Sequence, residues 1–146
     1  MKHPRSEGRI MIRSMLAAAS ITLATPGFAA SGIDGRWITQ DGKAVVDIAP
    51  CGAARCGTIA RMLKPPAPGV LRDIHNPDER LRDRPILGLP ILTGLSPSGE
   101  EWHGHVYDPE KGKSYKAIVR ANKDGTLKVQ GCISLFCRTL LWKPAR

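Results

Sequence analysis

From position 35 onward, apolar and polar residues alternate in short runs separated by turn formers. The clearest run is 113–121, with Tyr115, Ala117, Val119 and Ala121 on one side and Lys116 and Arg120 on the other. Period two sends successive side chains to opposite faces, so this is a half-buried antiparallel strand. In 126–132, Leu127 and Val129 oppose Lys128 and Gln130 in the same way. Further strand runs are read at 35–40, 43–49, 57–63, 86–95, 101–108 and 137–143. Asp41-Gly42 joins the first two as a tight hairpin. Ser96-Pro97-Ser98-Gly99, Pro109-Glu110-Lys111-Gly112 and Asn122-Lys123-Asp124-Gly125 turn the chain later on, while Gly88 and Gly94 mark bulges or bends. Between the third and fourth runs, 64–85 is rich in proline and charge and reads as a loop, with one helical turn begun by Asn76-Pro77. A loop of that length inside a compact domain is functional or mobile.

Eight strands with short connections and no amphipathic helix of useful length define an all-β chain. Joined in order, they either close into a small eight-stranded antiparallel up-and-down barrel, which abolishes sheet edges, or form an open sandwich. Gly35-Arg36-Trp37 favours the barrel. It resembles the G-x-W of lipocalins, whose tryptophan plugs the closed end beneath an arginine from the last strand. Arg138 opens the last strand here and is the expected cation–π partner of Trp37.

The first 29 residues differ in kind. Lys2, Arg5, Arg9 and Arg13 precede an apolar stretch at 15–24 and then Pro26-Gly27-Phe28-Ala29-Ala30. A basic start, a short apolar centre and small residues before a polar chain describe a secretory signal. Cleavage after Ala29 puts Gly27 and Ala29 at the two positions that must be small. The domain is then 30–146, and no apolar run in it approaches the ~20 residues of a membrane span. Cys51, Cys56, Cys132 and Cys137 all survive, as two C-x4-C pairs. An exported chain meets oxidising conditions, so disulfides are expected rather than a zinc site. Four cysteines allow three pairings; the local pairs Cys51–Cys56 and Cys132–Cys137 are favoured, each flanking four residues that suit a hairpin loop.

The order of motifs along the mature chain resembles domain of unknown function family 2147, a group of exported bacterial proteins. The residues that carry the resemblance are Gly35-x-Trp37, Cys51 to Gly57, Asp73-x-x-Asn76-Pro77-Asp78, Leu81-Arg82-x-Arg84-Pro85 and Gly88-Leu89. It continues through Trp102, Tyr107-Asp108-Pro109-x-x-Gly112-Lys113-x-Tyr115 and Asp124-Gly125 to Arg138 and Trp142. The resemblance implies a lipocalin-like barrel with room for a ligand, and supplies no activity. Cys132 and Cys137 depart from the usual pattern of the family, so the second disulfide is a feature of a subgroup.

Composition narrows the function. The formal net charge is +9, with 24% charged and 5% aromatic residues. Dispersed charge, few aromatics and export argue against nucleic acid as a partner. No nucleophile elbow and no H-E-x-x-H motif is present. His103 and His105 share a strand face with metal-ligand spacing, but oppose Trp102 and so point to solvent if the tryptophan is inside. Asp73, Asn76 and Asp78 offer oxygens for calcium but form an ordinary Asn-Pro-Asp turn. Asp108-Pro109 with Gly112 is likewise turn chemistry.

The function that results is binding. A small, partly apolar or anionic ligand is expected in the barrel, lined by Tyr115, Ala117 and Val119, with the 64–85 loop at its mouth presenting Arg82 and Arg84 as guanidinium forks. No cofactor is expected. The alternative is a structural or interaction module of the cell envelope with a filled barrel, whose basic surface meets an anionic glycolipid or a protein.

Overall fold

The alternating runs become eight strands: β1 (Gly35–Ile38), β2 (Ala44–Cys51), β3 (Ala54–Met62), β4 (Pro90–Ser98), β5 (Glu101–Asp108), β6 (Lys113–Ala121), β7 (Leu127–Ile133) and β8 (Phe136–Pro144). The computed structural model describes residues 32–64 and 71–146, so the signal expected at 1–29 lies outside the described residues. Each strand pairs antiparallel with its sequence neighbour and β8 returns to β1, closing a barrel in the order of the chain. The sandwich is thereby excluded.

In an up-and-down barrel alternate connections fall at alternate ends. One end holds the start of β1, the end of β8 and the turns β2–β3, β4–β5 and β6–β7. Here Ile33, Trp37, Ile48, Leu95, Trp102, Val119 and Leu127 are buried in one cluster. The Trp37 indole N–H donates to the Ile33 carbonyl at 3.0 Å, so the plug carries its own hydrogen-bond partner. The other end, the mouth, holds the β1–β2 loop, the long β3–β4 connection and the turns β5–β6 and β7–β8.

Strand edges follow sequence chemistry closely. β5 and β6 match their expected bounds, whereas β4 starts later, at Pro90. The Asp41-Gly42 hairpin is wider than a two-residue turn, since Ile38 is the last residue of β1 and Ala44 the first of β2. Gly94 does sit at a bulge: it has φ +62°, and the β4–β5 register slips between Thr93 and Ser96. The helical turn is a single 3₁₀ turn, Glu79–Leu81, capped by Asp78 directly after the proline.

Both disulfides are local. Cys51–Cys56 clamps the β2–β3 turn and Cys132–Cys137 the β7–β8 turn. Cys132 and Cys137 are direct cross-strand partners, which brings their Cα atoms to 4.0 Å.

Candidate functional site

The β3–β4 connection is tied to the barrel by a buried carboxylate. Asp73 has no solvent exposure. Its Oδ1 accepts the Tyr107 hydroxyl at 2.5 Å; its Oδ2 accepts the Asn76 amide at 2.7 Å and Arg84 Nε at 2.8 Å. Burial by itself would raise the Asp73 carboxyl, but the hydrogen bonds from Tyr107, Asn76 and Arg84, with the Arg84 charge, outweigh it and hold the group below its ordinary 3.8. Burial and the adjoining Asp73 carboxylate push the Tyr107 hydroxyl up. The Arg84 guanidinium also lies 5.6 Å from the centre of the Tyr107 ring. Arg82 donates to the Asn76 carbonyl at 2.9 Å and to Glu79 at 3.0 Å. The connection also presses against the β5–β6 turn. Gly112 has φ +62°, and a Cβ there would overlap the His75 carbonyl.

Above the packed end the barrel is hollow. A cavity of about 730 Å³ opens at the mouth, within the range of small-molecule sites. Its apolar wall comes from Ile59, Met62, Ile86, Ile91, Val106 and Val129, with Tyr107 and Tyr115 beside them. On β8 the residues Phe136, Arg138, Leu140 and Trp142 alternate along one face and line it from the rim to the floor. The register agrees: Trp142 faces Leu127, Leu140 faces Val129 and Arg138 faces Gly131. Near the mouth the β1–β8 seam is held by the Gln40 side chain, which accepts the Leu141 N–H at 2.7 Å.

Among the described residues, Arg138 and the Trp142 indole on this wall lack polar partners. The carboxylates of the rim are matched: Lys43 lies 2.5 Å from Glu110 and 3.6 Å from Asp41, and Lys111 lies 3.4 Å from Asp108. Arg138 has no hydrogen bond or ion pair to any described residue. The Trp142 indole N–H is buried without an acceptor, on a residue that is only 3% exposed. A buried donor left unmet costs free energy unless a ligand or water completes it.

Several expected site residues are placed differently. Arg82 and Arg84 do stand in the mouth connection, but both are engaged within it: Arg84 compensates the buried Asp73 charge, and Arg82 holds Glu79 and the Asn76 carbonyl. Tyr115 lines the cavity. Ala117 and Val119 face inward as expected but sit in the packed core below it, 1% and 0% exposed. Arg138 does not cover Trp37: β8 meets β1 with Trp37 opposite Pro144, so Arg138 is six residues away, about 20 Å along the strand. A cation–π contact at the closed end exists, but it is made by Arg55 over Trp102 at 5.4 Å.

The orientation of the histidines is as expected: Trp102 is buried and His103 and His105 are exposed. Asp108 accepts the Glu110 N–H at 3.0 Å, as a turn aspartate does. Sequence reasoning missed Arg138 as a mouth residue, although the period-two run Phe136, Arg138, Leu140, Trp142 carried the signal.

Comparisons with known proteins agree with this architecture. The family model described as "Uncharacterized protein conserved in bacteria (DUF2147)" matches residues 35–144. No curated protein matches the chain. A solved structure, Protein HP1028 from Helicobacter pylori, described as belonging to the lipocalin family, is similar at a TM-score of 0.70 and 21% identity, covering 79% of this chain and 84% of that one. At that identity the likeness is one of fold.

Proposed function

The chain belongs to this bacterial family, and from that premise and the mouth geometry we propose that it is an exported carrier of a small amphiphilic anion. The apolar body of the ligand fills the cavity and its anionic group meets Arg138. The observation that carries this reading is the unpaired guanidinium on the same inward face as Phe136, Leu140 and Trp142. An arginine fork matches the geometry of a carboxylate or phosphate. The unmet Trp142 N–H supplies a second donor on the wall for an oxygen of the ligand or for a water beside it. Export accords with two disulfides and with the N-terminal signal pattern; no helix among the described residues is long and apolar enough to cross a membrane.

The first test is the mass of the protein recovered from the periplasm of an expressing bacterium, taken under native and then denaturing conditions. Loss of a discrete small mass and a chain starting at Ala30 are expected. The second is a titration with decanoate and decanol, read by intrinsic tryptophan fluorescence. Decanoate is expected to bind more tightly, and Arg138→Glu to weaken it at least tenfold while leaving decanol unchanged. Equal affinity of wild type and variant for decanoate overturns the assignment of Arg138.

A further inference from the structure

The tip of the β7–β8 hairpin breaks the usual burial rule. Leu135 is 93% exposed, Phe136 83% and Ile133 64%. Ile133 and Phe136 are cross-strand partners, and Ser134 and Leu135 form the turn between them, with Ser134 at φ 52°. Directly behind, Cys132–Cys137 staples the two strands. The staple keeps the hairpin extended to its tip. Three large apolar side chains on a rigid projection mark a contact surface.

Two features around the tip indicate what it contacts. Exposed cations without a carboxylate partner flank its base: Lys116 pairs with Cys132 in the β6–β7 register, Arg138 follows Cys137, and Lys113 stands further along β6. The same apolar surface runs into the cavity, since Ile133 and Phe136 also line its rim. Three side chains offer well under the roughly 800 Å² per partner of a specific protein interface. Shallow insertion into a lipid interface needs only a few apolar residues with basic neighbours.

We propose that the stapled tip Ile133–Phe136 inserts into the surface of an anionic lipid bilayer and sets the cavity mouth against it. An amphiphile then passes between bilayer and cavity without crossing water. The insertion itself does not depend on the carrier reading, because it rests on the hairpin and its flanking cations.

The test is co-sedimentation of the protein recovered from the periplasm of an expressing bacterium with vesicles of phosphatidylcholine alone and with one-third phosphatidylglycerol. Wild type is expected to partition onto the anionic vesicles, and Leu135→Ser/Phe136→Ser to bind them at least tenfold more weakly. Lys113→Glu/Lys116→Glu is expected to lose the preference for phosphatidylglycerol. Phe136→Trp keeps binding and gives a fluorescence blue shift quenched by brominated lipid. A far-UV circular dichroism spectrum and a urea midpoint matching wild type show that the fold of the serine variant is intact. Unchanged partitioning of the serine variant, or a Trp at 136 that the brominated lipid does not quench, overturns the proposal. So does a concentration-dependent dimer in sedimentation velocity that the serine substitutions abolish, which would assign the tip to a second copy of the chain.

Discussion

The two ends of the barrel are built from the same eight strands and have opposite chemistry. At the closed end inward positions carry Trp37, Ile48, Leu95, Trp102, Val119 and Leu127, which fill the space between them. Toward the mouth the inward face of β8 carries Phe136 and Arg138, and β7 offers only Gly131 opposite Arg138. The interior is therefore packed below and hollow above. Barrel closure supplies the frame for both, and side-chain volume at the inward positions decides whether that frame is core or container.

The contrast can be broken most forcefully from below. Trp37→Ala removes a buried plug and its hydrogen bond to Ile33, and is expected to cost about 3–5 kcal/mol, read as a lower urea midpoint. Asp73→Ala is expected to cost about 3 kcal/mol, because Tyr107, Asn76 and Arg84 lose their common acceptor; Arg84, about one-third exposed, regains some hydration.

The same carboxylate predicts a pH dependence. Its folded value lies below the unfolded one, so its contribution is complete above the ordinary carboxylate range and is lost as pH falls below 3.8 through the folded value. Urea midpoints between pH 6 and 2 should fall more steeply for wild type than for Asp73→Asn. Parallel curves would mean that the network adds no acid sensitivity.

Gly112→Ala is expected to cost about 1–3 kcal/mol, since the left-handed backbone and the His75 carbonyl both oppose a Cβ. Smallest of all, Arg138→Glu should change stability by less than about 0.5 kcal/mol, because no hydrogen bond or ion pair is lost. A large destabilisation by Arg138→Glu would show that the mouth is part of the packed structure and would end the contrast between the two ends.

Much of this fold was legible in the sequence because strands repeat every two residues and turns have their own chemistry. The runs at 101–108 and 113–121 coincide with β5 and β6, and the local disulfides follow from the hairpins that hold them. The site was less legible. Arg84 reads as a free fork because local sequence does not show that Asp73 is buried beside it, and Tyr107, which holds Asp73 from β5, is 34 positions away along the chain. Arg138 was on the correct face but assigned to the wrong end, since alternation gives the face of a strand and not its height in the barrel.

By itself, then, the sequence determined the number of strands, their faces, their turns and the family. Those are local properties, fixed by spacing and by the conformational limits of glycine, proline and aspartate. Only the tertiary structure decided which charges are paired in the fold and which stay unpaired. Register across strands distant in the chain brings a buried carboxylate to Arg84 and leaves Arg138 unpaired over a cavity.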